Sequence, residues 1–453
     1  MIRFFSIAVG LVGGILSIAA VASGKSPNVI VILTDDQGSV DAGCYGAQDL
    51  TTPAVDRLAA TGVRLTQFYS AAPVCSPSRA GLLTGRYPWR VGVPNNAGAG
   101  PREDVDNLEL ETGNQGLHDS AVTMAEMFRQ AGYRTAHIGK WHLGHGPGSK
   151  PLDQGFDYSF GHMSGCIDNF AHFFYWNGPN RHDLWENNLR VRMPGQFFPD
   201  LMVDKASQFI QENRDEPFFI YFASNMPHYP YQGDPRWVER YRELSYPRNL
   251  YAAFLSTLDA RVGRILDLLE KEGLREDTIV VYQSDNGFSR EERAHYGGGS
   301  SGPYRGEKFS MFEGGIRLPA IISWPSQLPQ GAVRTQMAHA CDWLPTLAEL
   351  CNVHMLDESV DGKSIAAVLR SADADSPHDW LAWNTQSQWA IRQGPWKLIH
   401  RVRTADEGQL SAEDKEFFLV NLDEDIGETT NLASQHPQVL GRLKSEFAKQ
   451  FEK

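Results

Sequence analysis

The 453-residue sequence predicts an α/β fold: a large, mostly parallel sheet flanked by helices, followed by a small C-terminal α+β domain with an antiparallel sheet. Three observations carry that expectation. Runs such as Asn28–Leu33, Pro217–Phe222 and Thr278–Tyr282 are continuously apolar, the pattern of strands covered on both faces. Segments with helical periodicity separate them, as crossovers between parallel strands require. After about residue 355 the pattern changes to short strands punctuated by turns.

The elements follow in order. Asn28–Leu33 is a central strand that ends in Thr34-Asp35-Asp36. Pro53–Ala60 is a short amphipathic helix, with Val55, Leu58 and Ala59 on one face and Gly62 as its stop. Val122–Ala131 is a second helix, closed by Gly132, and Tyr133–Ile138 is a strand. Leu201–Asn213 is helical and leads into the strand at 217–222. Asn249–Glu272 repeats apolar residues at Phe254, Leu258, Val262, Ile265 and Leu269, a long helix. Thr278–Tyr282 is a strand ending in Asp285-Asn286-Gly287, and Leu318–Ser323 is another. Gly297–Gly302 reads as a flexible loop. Short strands are expected at 390–392, 396–399 and 417–420, and Pro437–Phe451 is a helix with proline in its first turn. The division expected is a signal at 1–22, a catalytic domain at 23–355 and a smaller domain at 356–453.

Lys and Arg number 42 against 55 Asp and Glu, a net charge of −13, which disfavours a partner of nucleic acid. A local cluster of cations can still reverse the field in a cleft. Aromatics at 11% support a large packed core, and five cysteines are too few and too odd for a disulfide scaffold. Cys341 and Cys351 flank a helix that holds them too far apart to pair, whereas Cys44 and Cys166 fit either buried thiols or a pair. Arg3 precedes an apolar stretch to Ala22, and Ala20-Val21-Ala22 has the small-x-small form of a cleavage site. A cleaved signal is expected, giving a periplasmic or secreted protein with no stable membrane insertion afterwards. Gly10, Gly13 and Gly14 dilute the stretch and weaken the alternative of a membrane anchor.

In α/β sheets ligands sit beyond the carboxyl ends of the strands, so Asp35-Asp36 and Asp285-Asn286 are expected to face one crevice. Together they offer a hard oxygen ligand set. Three uncompensated carboxylates in one pocket would repel, and a divalent cation, calcium rather than zinc, would relieve this. His137, His142 and His145 lack the spacing of a zinc helix. Cys75-Ser76-Pro77-Ser78-Arg79, running on to Leu83-Thr84-Gly85-Arg86, is the strongest local signal. Cys75 opens a helix there, where unpaired N–H groups favour an anion.

That string resembles the signature of the type I, formylglycine-dependent sulfatases of the alkaline phosphatase superfamily, arylsulfatases and N-acetylgalactosamine-6-sulfatases among them. The resemblance continues through Asp35-Asp36, Gly139-Lys140-Trp141-His142, Pro227-His228, Asp285-Asn286-Gly287, Lys308 with Glu313–Arg317, Asp342–Thr346 and Leu422–Leu432. One departure is Glu307 beside Lys308, where a small residue is expected. The resemblance implies that a maturation enzyme oxidises Cys75 to formylglycine. It implies one Ca2+ on Asp35, Asp36, Asp285, Asn286 and the residue-75 side chain. Arg79, Lys140 and Lys308 would stabilise charge, His142 would be the base that releases sulfate, and His228 with Lys308 would protonate the leaving oxygen.

General acid–base help supplies only ~3–5 kcal/mol of the ~20 kcal/mol that the largest rate enhancements demand. Electrostatic clamping and a covalent route must supply the rest. The expected substrate is a sulfated mono- or oligosaccharide, with Trp89, His162, Asp168, His172 and Trp176 as candidates for a sugar subsite. Two rival readings are a phosphomonoester or phosphonate-ester hydrolase on the same fold, and a non-catalytic glycan-binding relative.

Overall fold

A computed structural model of the chain describes residues 26–97, 116–176 and 180–450; the signal segment expected at 1–22 lies outside them. Among the described residues, eleven strands form the main sheet. From one edge its order is Ala332–Arg334, Val63–Tyr69, Arg317–Ser323, Thr278–Ser284, Asn28–Thr34, Phe218–Ala223, Arg134–Lys140, Tyr158–His162 and two short strands at 185–186 and 189–190. Ala338–His339 also pairs with Val63–Tyr69. The five strands from Thr278–Ser284 to Tyr158–His162 are mutually parallel. Arg317–Ser323, expected only as a further strand, runs antiparallel to both its neighbours.

Burial explains the unbroken apolar runs. Val29, Val31 and Leu33 pack with Met124, Phe128 and Trp343 on one side of the sheet. Ile30 and Ile32 pack with Phe254, Leu258 and Val262 of the Arg248–Lys271 helix on the other. A strand with both faces covered has no solvent side to mark with polar residues. Among the described residues no helix is long and apolar enough to cross a membrane. All five cysteines are unpaired, which settles Cys44 and Cys166 as thiols. The 297–302 loop is pinned rather than loose: Ser300 N–H donates to Asp41 at 2.7 Å and Arg248 donates to the Gly298 carbonyl at 3.0 Å.

The C-terminal sheet has four antiparallel strands, Trp380–Asn384, Trp389–Gln393, Trp396–His400 and Phe417–Asn421. One face holds the Pro437–Lys449 helix, with Phe447 stacked on Trp389 at 4.0 Å. The other face packs on Tyr69, Met311, Phe312 and Ile316. A buried ion network lies at that junction. The Lys397 ammonium sits 2.9 Å from both Glu313 and Glu428, and all three side chains are fully buried. Glu313 also accepts from Tyr69 at 2.7 Å and from Arg317 at 3.2 Å. Lys397→Met should therefore leave buried Glu428 without its cation and Glu313 with Arg317 alone, and lower stability by about 3–5 kcal/mol, read from denaturant unfolding of the full chain. A change below about 1 kcal/mol would mean the network is not holding the junction.

Candidate active site

Strand register assembles the site. Thr34 lies opposite Ser284 on the parallel neighbour, so Asp35-Asp36 and Asp285-Asn286 leave the sheet side by side. Lys140 is the last residue of its strand, and His228 follows the end of Phe218–Ala223 on the strand between. The Cys75–Thr84 helix, wholly buried, starts at Cys75 and ends at Gly85, whose φ of 66° closes it in the left-handed region.

The three carboxylates are not uncompensated, contrary to the expectation from sequence. Lys140 Nζ donates to both Asp35 oxygens, at 2.9 and 2.7 Å. Arg79 donates to Asp285 Oδ2 from Nε at 3.1 Å and from Nη2 at 2.8 Å, and its third nitrogen reaches the Lys140 carbonyl at 3.1 Å. Lys308 Nζ lies 2.9 Å from Asp36 Oδ2 and 3.4 Å from Glu291. The cations came from distant segments that spacing alone could not pair. Burial pushes the Asp35 carboxyl up to about 7 despite Lys140 and Arg79. Burial acts likewise on Asp285, but Arg79, Lys140 and the Asp36 N–H together hold that carboxyl below its ordinary value.

Whether this set suits a hard cation turns on Asn286. Its Nδ2 donates to Asp36 Oδ1 at 2.7 Å, while its Oδ1 is buried with no donor. A buried carbonyl oxygen without a partner is costly unless a ligand takes it. Ligand atoms of Asp35, Cys75 and Asp285, and of Asp35, Asp36 and His228, lie within 4.8 Å of one another. Arg79, Lys140 and Lys308 face four carboxylates once Glu291 is counted, so a bound divalent ion would bring the crevice from about −1 to about +1, opposite in sign to the single charge of a sulfate ester. The residues fit such an ion. His137, His142 and His145 form no comparable group among the described residues.

Cys75 lies at the floor, its Sγ 3.7 Å from Asp35 Oδ1, and burial pushes the thiol well above its ordinary pKa. An unmodified thiol there stays protonated and is a poor nucleophile. His142 has φ 55° and a buried Nδ1 without a partner. Its ring passes so near Gly165 that a Cβ there would stand 2.8 Å from Cε1, so a larger residue at 165 would displace the ring. Burial, with Lys140, Arg79 and Lys308 nearby, keeps His142 neutral. His228 Nδ1 lies 2.7 Å from the Tyr229 carbonyl and must donate to it, so in the neutral ring Nε2, 3.6 Å from Asp36, carries no proton.

Above these groups opens a cavity of ≈ 240 Å³, lined by Cys75, His142, His228 and Lys308 with Asn96, Cys166, Trp176, Glu291 and Phe309. Of the sugar-subsite candidates, Trp176 reaches it. His162 is buried in a strand against Phe198, and His172 is buried with its Nε2 donating to the Gln196 carbonyl at 3.0 Å. Asp168 caps the turn at Phe170 and Ala171, and Trp89 stacks on Tyr87 at 4.4 Å beside the C-terminal sheet. Glu291 and Phe309 were not read from the sequence; the nearness of Glu291 to Asp285-Asn286, and of Phe309 to Lys308, was the signal available. Glu307, the departure beside Lys308, points away from it and accepts the Ala405 N–H at 2.6 Å.

Comparisons with known proteins agree with this geometry. Residues 27–353 match the family model described as Sulfatase, and residues 304–453 match the one described as N-sulphoglucosamine sulphohydrolase, C-terminal. The chain is 33% identical to human arylsulfatase A, over 94% of this chain and 88% of that protein. It is 34% identical to rat N-acetylgalactosamine-6-sulfatase, over 84% and 73%. The crystal structure of Ps i-CgsB in complex with k-i-k-neocarrahexaose superposes with a TM-score of 0.80 at 27% identity, covering 94% of this chain and 93% of that one. Its main sheet, its C-terminal sheet and these matches together show that the chain belongs to the sulfatase family, the enzymes that hydrolyse sulfate esters.

Proposed function

We propose that the chain removes sulfate from a sulfated saccharide, with Cys75 matured to formylglycine by a partner enzyme and Ca2+ held by Asp35, Asp36, Asp285, Asn286 and residue 75. The observation that carries this is the meeting of the residue-75 helix start with three cations, three carboxylates and the unpartnered Asn286 oxygen in one buried crevice. A bound Ca2+ supplies Lewis-acid polarisation of sulfate oxygens, and a hydrated aldehyde at residue 75 supplies an oxygen nucleophile in place of a thiol. The saccharide reading draws support from relatives named for a sulfated sugar and from the neighbour bound to a neocarrahexaose. Export through a cleaved signal at 1–22, to the periplasm or beyond, and the division at about residue 355 complete the reading.

The side chains then have distinct tasks. Arg79 and Lys140 fix the carboxylates and oppose the charge that builds on the sulfate oxygens. His142 is neutral with an unpartnered ring nitrogen, and the negative charge of a bound sulfate would offset the burial and nearby cations that weaken it as a base. Lys308 is the proton donor to the leaving oxygen, because Asp36 and Glu291 hold it as an ammonium while neutral His228 has its one ring proton on the Tyr229 side. His228 can donate to that oxygen only after Nε2 gains a proton, which negative charge arriving on a bound ester would favour.

Peptide mass spectrometry of active protein should find the aldehyde or its hydrate at residue 75; full activity with only a thiol there would overturn the mechanism. Asp285→Asn should abolish calcium binding measured by elemental analysis, since it removes a charged ligand, with near-UV circular dichroism checking the fold. Full activity after exhaustive chelation, or zinc in the site, would contradict the metal assignment. Lys308→Ala should slow an alkyl sugar sulfate ~10²–10⁴-fold and an aryl sulfate much less, because a phenol scarcely needs an acid to leave. Equal losses on both substrates would remove Lys308 from the acid role.

A further inference from the structure

Two more clefts open beside the reaction cavity, and they meet at Arg403. The first, ≈ 260 Å³, lies between the Pro73-Val74 turn before Cys75 and the C-terminal sheet, and shares Asn96 and Phe309 with the reaction cavity. Among the described residues its lining holds no carboxylate: its polar groups are Asn95, Asn96, Thr385, Ser387, Gln388 and the single cation Arg403. The second, ≈ 250 Å³, brings Arg403 and Arg290 to the side of Lys308 and shares Glu291, Lys308 and Phe309 with the reaction cavity.

Arg403 is exposed, and its guanidinium stands 5.9 Å from the Phe309 ring centre. Among the described residues no carboxylate oxygen comes within 4.0 Å of it, whereas Arg290 has Asp406 at 3.7 Å. Gln388 adds a second observation. Its Nε2 is occupied by the Phe309 carbonyl, and its Oε1 is buried with no donor. The cleft thus offers amides, hydroxyls, an aromatic face and one guanidinium with no ion-pair partner within 4.0 Å among the described residues, Glu291, Glu307 and Glu407 lying in the adjoining cleft, a lining suited to a sugar that carries an anion. The chain as a whole, at −13, repels anions at long range, so a local cation is what would let an acidic sugar settle here.

We propose that this cleft is a second saccharide subsite, that it takes an acidic sugar adjoining the unit whose ester is cleaved, and that Arg403 is its specificity-determining residue. The proposal rests on the sulfatase reading of the reaction cavity. It makes the substrate an oligosaccharide with at least two anionic groups, one cleaved and one recognised. Guanidinium pairs with carboxylate or sulfate in the same forked geometry, so either anion satisfies it.

The test is binding calorimetry on the calcium-loaded full chain made without maturation of Cys75, so that no turnover intervenes. The probes are disaccharides of 6-sulfated N-acetylgalactosamine joined to glucose, to glucuronic acid or to 6-sulfated glucose. An acidic second sugar should bind about tenfold more tightly than glucose, and added salt should shrink the difference. Whichever acidic probe binds more tightly identifies the anion preferred. Arg403→Gln should bring the ratio near one, and Arg403→Lys should keep part of it; melting temperatures taken alongside report on folding. Equal affinity for acidic and neutral disaccharides, no detectable binding of either acidic probe, or a preference that survives Arg403→Gln would overturn the proposal. Failure of the sulfatase reading is a separate result: matured protein would then leave 4-nitrophenyl sulfate intact.

Discussion

Three carboxylates and three cations buried within one crevice are the constraint around which this molecule is arranged. Charges taken out of water cost several kcal/mol each unless each finds a partner in good geometry. Asp35 with Lys140, Asp285 with Arg79 and Asp36 with Lys308 meet that condition. Meeting it requires four parallel strands in fixed register, because the acids leave adjacent strands and Lys140 arrives two strands away from Asp35. It also requires the residue-75 helix to be driven into the core, since Arg79 is fully buried.

Lys140, Arg79 and Lys308 offset most of the charge of Asp35, Asp36, Asp285 and Glu291, which shifts the argument for a metal. Repulsion among the acids does not demand an ion here. The unpartnered Asn286 oxygen and the charge of a sulfate are what support the proposed ion, since a pocket without net positive charge has no net attraction for an anion. In the same way, burial that keeps the Cys75 thiol protonated favours oxygen over sulfur as the attacking atom at residue 75.

The C-terminal sheet serves the crevice from behind. Trp383 Nε1 donates to the Ser70 carbonyl at 2.7 Å, Gln388 reaches the Phe309 carbonyl, and Phe309 N–H donates to the Pro73 carbonyl at 2.8 Å. The segments that carry residue 75 and Lys308 are therefore tied to each other and to the same sheet. Glu307 docks the 404–405 turn, which accounts for an acid beside Lys308 and brings Arg403 to the rim of the clefts. The Lys397 network then holds the whole junction from beneath.

Much of this was legible in the sequence, for a physical reason. Strands buried on both faces must be apolar throughout, so Asn28–Thr34, Phe218–Ala223 and Thr278–Ser284 announce themselves. The long Cys75–Arg86 string and the paired acids marked the site, because their chemistry depends on residue types at short range. Strands with mixed faces escaped: Val63–Tyr69 alternates through Arg64, Thr66 and Gln67, and Trp380–Asn384 sits among turns. Which cation faces which carboxylate, the proton position on His228, the burial of His162 and His172, and the rim built by Glu291, Phe309 and Arg403 came only from the tertiary structure. These depend on contacts between residues far apart in the chain, such as Asp36 and Lys308, and sequence spacing holds no record of distance across a sheet.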